Sequence, residues 1–252
     1  MTTLGILQAR MTSTRLPGKV LLPVLDRPMI ARQLERLRRA RLLDGIVVAT
    51  STDPADDPLV GFLDEEGVPV MRGPLDDVLA RFALVIEEYE PTTVVRLTAD
   101  CPLASPSVID TIIEEFHARG IDYVSNTLTP TWPDGLDVEV VRAPVLLWAA
   151  KTLTDPPERE HVTLGIYRRP EHFKVGNVVN SEDLSGLRWT VDNADDLAFV
   201  REVYARLYPS NPEFETADVL ALVRADPQLN RTTMDAERNA ALKGLDTGAM
   251  NA

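Results

Sequence analysis

Leu4-Gly5-Ile6-Leu7-Gln8 is a short apolar run, and it passes directly into Ala9-Arg10-Met11-Thr12-Ser13-Thr14-Arg15-Leu16-Pro17-Gly18-Lys19, a polar loop with three cations inside ten residues. In an α/β sheet, ligands bind outside the carboxyl ends of the strands, so Arg10, Arg15 and Lys19 are placed to converge on one anion of the size of a triphosphate. Ser13 and Thr14 add hydroxyl and backbone N–H donors, and Gly18 permits a tight turn. Neither a GxGxxG nor a GxxxxGK[ST] pattern is present, which excludes the usual dinucleotide and P-loop readings. The competing reading is a solvated basic loop.

Working outward, the β-rich runs 4–8, 46–50 and 94–98 alternate with segments of helical period, the pattern of a doubly wound sheet. Met29, Ile30, Leu34 and Leu37 share one helical face, opposite Arg32, Glu35, Arg36 and Arg39. Residues 68–71 predict a further strand. Val78, Leu79, Phe82, Val85 and Ile86 predict a helix over 76–89, and Val108 to Phe116 another that stops at Gly120. The middle is turn-like, and 136–141 alternates apolar with acidic residues as a half-exposed strand does. Helices are expected at 144–151, 158–168 and 194–207, and strands at 173–179 and 188–191. The tail 245–252 has no apolar period and is expected to fray.

The chain has 252 residues, one cysteine and a formal charge of −13. One cysteine excludes an internal disulfide, and no Cys/His cluster suggests structural zinc. The charge argues against broad binding to nucleic acid or to anionic membrane. With neither a signal-peptide pattern nor a run of roughly 20 apolar residues, a cytoplasmic protein with no membrane partner is expected.

Two acids end predicted strands. Asp100 closes Leu97-Thr98-Ala99-Asp100, and Asp192 closes Arg188-Trp189-Thr190-Val191-Asp192. An acid leaving a sheet edge can hold Mg²⁺ against phosphate oxygens; the plain alternative for each is a turn or an N-cap. Asp195 and Asp196 favour the next helix through its dipole. Asp76 and Asp77 read equally well as helix-start residues, and Asp137 and Glu139 as the wet face of a strand. His161 stands with Arg159 and Glu160, whereas His117 and His172 read as surface residues. Cys101 reads as a small buried filler.

The segment Gln-Ala-Arg-Met-Thr-Ser-Thr-Arg-Leu-Pro-Gly-Lys resembles the signature loop of the cytidylyltransferase family that includes CMP-KDO and CMP-acylneuraminate synthetases, and within it the branch of spore coat polysaccharide biosynthesis protein F. Separated motifs recur in order from residue 4 to about 208. The resemblance implies an α/β fold of the nucleotide-diphospho-sugar transferase type. Its mixed, mainly parallel, Rossmann-like sheet would be flanked by helices and carry a small inserted β element. It implies a nucleotidyltransferase domain over 1–208, with an acceptor-binding element near 122–180, and a helical extension and tail over 209–252.

It further implies a Mg²⁺-dependent transfer of CMP from CTP to a sugar acid with release of pyrophosphate, and a homodimer. Arg10, Lys19, Asp100 and Asp192 would be catalytic, with Asp100 and Asp192 on the metal. Leu7, Gln8, Ala9, Arg10, Ser13, Thr14, Arg15, Lys19, Arg72 and Gly73 would bind the nucleotide, Arg72 reading the cytosine acceptors. The acceptor would meet Asn126, Asp134, Gly135, Asp137, Glu139, Arg159, Glu160, His161 and Arg188, with Arg159 and Arg188 as cations for an acceptor carboxylate or phosphate. Transfer of another nucleotide, use of a sugar phosphate, a non-catalytic nucleotide-binding protein and a glycosyltransferase stay open.

Overall fold

The runs at 4–8, 46–50 and 94–98 are strands, and they lie side by side. The computed structural model describes residues 2–232. Among these, a seven-stranded sheet has the order β5 (Val70–Gly73), β4 (Gly45–Ser51), β1 (Thr3–Gln8), β6 (Thr93–Thr98), β8 (Glu139–Arg142), β7 (Tyr123–Ser125) and β9 (Val175–Asn177). The first four strands are mutually parallel, β8 is antiparallel to both neighbours, and β7 and β9 are parallel. A small ribbon pairs β2 (Pro23–Val24) with β3 (Arg27–Pro28).

Side chains alternate across the sheet. Leu4 and Ile6, Val47 and Ala49, and Val94 enter one core; Leu7, Val48, and Val95 with Leu97 enter the other. Residues from α1 (Met29–Leu37), α2 (Asp57–Glu65), α4 (Pro106–Arg119), α8 (Ala194–Leu207) and α9 (Thr216–Ala225) build the second core. The first is closed by α3 (Val78–Tyr89), α5 (Ala143–Thr152) and the short α7 (Leu164–Tyr167). Each buried Leu, Ile or Val contributes about 1.5–3 kcal/mol, so covering both faces is what fixes the register. The same alternation puts Gln8, Arg96 and Thr98 on the α3/α5 face, at the carboxyl ends of their strands.

The helix starts follow capping chemistry. Asp77 accepts from the Ala80 N–H at 2.9 Å to start α3, and Ser105 with Pro106 opens α4, which Gly120 ends in the left-handed region. Asn193, not Asp192, caps α8, in a reciprocal box with Asp196.

Three expectations change. The helix expected over 158–168 is two pieces, α6 (Pro156–Glu160) and α7, because Val162 between them has φ 51. The run 188–191 makes no strand: apart from a bridge of Arg188 to Asp134, its N–H groups go to loops, Trp189 to Asp134 O (2.6 Å) and Val191 to Asp100 O (2.8 Å). The strand expected to be half-exposed at 136–141 begins at Glu139 and lies inside the sheet, so Glu139 is buried. β7 and α2 were not anticipated.

The described residues beyond 208, 209–232, join the main body, since Phe214, Val219 and Val223 belong to the α1/α4/α8 core. The tail 245–252 lies outside the described residues. No helix among the described residues is long and apolar enough to cross a membrane.

Candidate active site

β1 delivers the cationic loop, and one buried acid shapes it. The Ala9 N–H still donates to Ala49 O at 3.1 Å, and the Met11 N–H donates to Asp56 Oδ1 at 2.6 Å. Asp56 also takes the Thr50 hydroxyl (3.0 Å), the Ser51 N–H (3.1 Å) and the Ser51 hydroxyl. Met11 O then accepts from Ser13 N (2.9 Å) and Gly18 N (2.8 Å), closing the loop on itself. Gly18, at φ 70, heads a single 3-10 turn over Lys19–Leu21. The turn carries Lys19 inward to 8% exposure, while Arg10, Thr14 and Arg15 remain exposed.

Lys19 joins Asp100, just past the end of β6, to Asp192, just ahead of α8. Its Nζ lies 3.5 Å from Asp100 Oδ2 and 3.2 Å from Asp192 Oδ1, and donates to Val191 O at 2.6 Å. Arg15 Nη2 reaches the same Asp192 Oδ1 at 2.9 Å. The segments are tied through the backbone, since Asp100 O accepts from Val191 N (2.8 Å) and the Thr190 hydroxyl (3.1 Å). Thr98, at the end of β6, orients Asp100 by donating to its Oδ1 at 2.6 Å. Burial works to raise the Asp192 carboxyl, yet Lys19, Arg188 and Arg15 together hold it below the usual carboxylate range. Beside Asp100, burial pushes the Cys101 thiol well up, which leaves it a poor nucleophile.

The two carboxylates pass a chemical test for a divalent cation. Among the described residues no group of three or more His, Cys, Asp or Glu side chains is placed to hold a metal. Asp100 and Asp192 nevertheless share one positive centre, the Lys19 ammonium. Two carboxylates completed by phosphate oxygens and water are an ordinary Mg²⁺ environment.

Arg188 stands behind Asp192. It is 1% exposed and reaches Asp134 (2.8 Å), Asp192 Oδ2 (2.8 Å) and Asp196 (3.1 Å). Its donors are thus turned to three acids of the chain. Gly135 lets this happen: at φ 108, an added Cβ would lie 2.6 Å from Thr190 N. Asn126 is wholly buried and clamps the same loop, donating to Leu136 O and accepting from Val138 N, both at 2.8 Å. Asp137 is half-buried beside it.

A second polar cluster lies on the α3/α5 face. Glu139 pairs with Arg96 and accepts from the Tyr123 hydroxyl (2.7 Å) and the Thr163 hydroxyl (2.8 Å); Arg96 also donates to Gln8 Oε1 at 3.1 Å. Burial opposes the Arg96 charge, but Glu139 holds it above its ordinary value. His161 borders this cluster half-buried, and desolvation lowers its pKa below 6.5 despite Glu160. Arg168 also bears on His161, and its buried Nε has no hydrogen-bond partner. Glu160 is exposed.

Arg159 and Arg72 are engaged elsewhere. Arg159 binds Asp77 at 2.6–2.7 Å and the carbonyls of Ala150 and Leu153. Arg72 donates to Ser51 O (2.8 Å) and Asp53 O (3.0 Å) and pairs with Asp57 (2.8 Å), while Gly73 ends β5 beside it. Asp56, Arg96 and Thr98 were missed in the sequence. For Arg96 a signal existed, a cation in the apolar run Thr93–Thr98. A separate cavity of about 590 Å³, lined by Leu4, Gly45, Ile46, Val68 and Tyr89, sits at the opposite, amino ends of the strands.

Comparison with known proteins identifies a family. Residues 4–211 match the family described as Cytidylyltransferase. The chain is 38% identical over 205 residues to an uncharacterized protein of Methanocaldococcus jannaschii, covering 81% of this chain and 83% of that one. It is 32% identical over 231 residues to the spore coat polysaccharide biosynthesis protein SpsF of Bacillus subtilis, covering 89% and 95%. The mitochondrial 3-deoxy-manno-octulosonate cytidylyltransferase of Arabidopsis thaliana matches at 33% over 144 residues, 56% of this chain and 49% of that enzyme. A solved cytidylyltransferase from Leptospira borgpetersenii superposes with a TM-score of 0.86 at 29% identity, over 91% of this chain and 96% of that one. The chain therefore belongs to the cytidylyltransferase family.

Proposed function

We propose that this chain transfers CMP from CTP to a hydroxyl of a sugar acid, nonulosonic or KDO-like, with Mg²⁺ bound, releasing pyrophosphate and supplying a CMP-sugar for a surface polysaccharide or glycan. The observation that carries the reading is the meeting of Lys19, Arg15, Asp100 and Asp192, from three separate segments, at the carboxyl ends of the strands. The names of two relatives, SpsF and 3-deoxy-manno-octulosonate cytidylyltransferase, support the sugar side of it.

The acceptor oxygen attacks the α-phosphorus as the bond from that phosphorus to the bridging oxygen breaks. The electron pair leaves with pyrophosphate, and the hydroxyl proton passes to solvent. Arg10, Arg15 and Lys19 neutralise the charge that grows on the leaving group, a preorganised effect that costs no rearrangement of water. Asp100 and Asp192 would hold the divalent ion, which when bound neutralises and orients the phosphates. Ser13 and Thr14 offer donors to the same phosphates. Leu7, Gln8, Ala9, Arg72 and Gly73 would form the nucleoside side, Arg72 by fixing the ends of β4 and β5. Asn126, Asp134, Gly135 and Arg188 shape the wall that carries Asp192. Asp137, Glu139, Arg159, Glu160 and His161 would form the acceptor side.

Pyrophosphate release measured for the four nucleoside triphosphates against a panel of acid sugars and sugar phosphates tests this. The expected result is turnover with CTP, an acid sugar and Mg²⁺, the product being a CMP-sugar by mass. Equal use of all four triphosphates would overturn the choice of base. CTP binding indifferent to Mg²⁺ with no turnover would point to a nucleotide-binding protein without this activity.

A further inference from the structure

Arg81 lies on the apolar stripe of α3 with Val78, Phe82 and Val85. It is 2% exposed, its Nε has no acceptor, and it enters no ion pair among the described residues. A buried guanidinium N–H without an acceptor is costly and calls for an explanation, and an absent anion supplies one. Its stem passes the end of β5, where a Cβ on Gly73 would lie 2.8 Å from Arg81 Cγ. Arg81 therefore stands at the carboxyl ends of the strands, under the cationic loop.

The chain's own acids do not satisfy it. Arg10, Asp56 and Asp77 are the charges it feels. Asp56 is saturated by Met11, Thr50 and Ser51, and Asp77 by the Ala80 N–H and Arg159. Arg10 likewise forms no ion pair among the described residues, so two unpaired cations face one region of a chain whose net charge is −13. Burial and then repulsion by Arg10 hold the Arg81 guanidinium below its ordinary value, in keeping with a group waiting for a counter-ion.

We infer that Arg81 is a phosphate ligand of the nucleotide, donating from the floor of the crevice to an oxygen that Arg10 meets from the loop. The inference rests on the nucleotide reading given above. The test is calorimetric binding of cytidine, CMP, CDP and CTP with Mg²⁺ to the full chain and to its Arg81→Met and Arg81→Lys variants, with melting temperatures of each. Arg81→Met is expected to weaken CTP about tenfold or more, the loss of a charged hydrogen bond. Cytidine binding should be unchanged, and the step at which the loss appears names the phosphate contacted. Arg81→Lys should recover part of it. The ligand-free Arg81→Met protein should melt no lower than the parent, since no internal partner is lost.

An equal loss for cytidine and CTP would overturn the inference, as would a lower ligand-free melting temperature. Unchanged CTP binding with a raised KM for the acceptor would assign Arg81 to the acceptor's anion instead. A parent chain that binds no nucleotide would sink the nucleotide reading as well, whereas tight CTP binding by both parent and Arg81→Met sinks only the role of Arg81.

Discussion

Asp100 and Arg188 show how differently two charged residues of one site depend on their surroundings. Asp100 is partly exposed and its carboxylate is met by Thr98, Lys19 and the Cys101 thiol, so Asp100→Asn keeps the shape and loses the charge. Turnover should fall by about two orders of magnitude or more, with little change in melting temperature, because the loss falls on transition-state charge. A variant that still releases pyrophosphate steadily would exclude the metal-holding role. Arg188→Met removes a shared cation from Asp134, Asp192 and Asp196, the first and last nearly fully buried, and should cost about 3–5 kcal/mol in urea unfolding. Arg15, Lys19 and Asp100 stood out in the sequence because each follows a recognisable strand, and Asp192 because 188–191 has strand character, although it forms no strand. Asp56 was not, because Asp53-Pro54-Ala55-Asp56-Asp57 reads as a wet helix start until the loop closes over it. Arg81 left a fainter trace, a cation on an apolar stripe.

At the level of elements, the sequence reading went astray where a side chain outbid the local pattern. Residues 188–191 have strand character, but their N–H groups stitch Asp134 and Asp100 together, which is how Asp192 comes near Lys19. The acids of 136–141 suggested a wet strand face; Arg96 on β6 supplies the partner that lets β8 go inside. The helix break at Val162 exposes nothing apolar and turns Thr163 toward Glu139, leaving His161 beside the Arg96 pair. Desolvation holds His161 below its unfolded pKa of about 6.5, with Arg96 and Arg168 acting in the same direction and Glu160 and Glu139 against. A folded-state pKa that is depressed gives stability present above the unfolded pKa and lost as pH falls through the folded one. The parent should therefore lose more melting temperature than His161→Gln between about pH 7.5 and about pH 5.5. An equal or larger loss in the variant would remove His161 from that account.

For the whole molecule, the alternation of three apolar runs with helical segments was enough to read a mainly parallel sheet covered on both faces. The place of β8 between β6 and β7 and the seating of the C-terminal helix were not readable, because both depend on contacts far apart in sequence. Phe214 illustrates the second case. It is fully buried, meets Tyr204 edge-on at 5.2 Å, and lies under the Arg36 guanidinium at 4.4 Å, while its carbonyl takes Arg36 Nη1 at 2.9 Å. Phe214→Ala should destabilise the protein by about 3–5 kcal/mol, as measured by chemical unfolding. A change within about 0.5 kcal/mol would mean that the segment beyond residue 208 is an appendage.

The most direct test of the nucleotide site is a crystal structure of the chain with a non-hydrolysable CTP analogue and Mg²⁺. The expected result is a divalent ion bonded to Asp100 and Asp192 at about 2.0–2.1 Å, with Lys19 and Arg15 moved from Asp192 onto the phosphates and Arg10 beside them. A bound analogue that leaves Lys19 bridging Asp100 and Asp192, with its phosphates and metal elsewhere on the molecule, would contradict it.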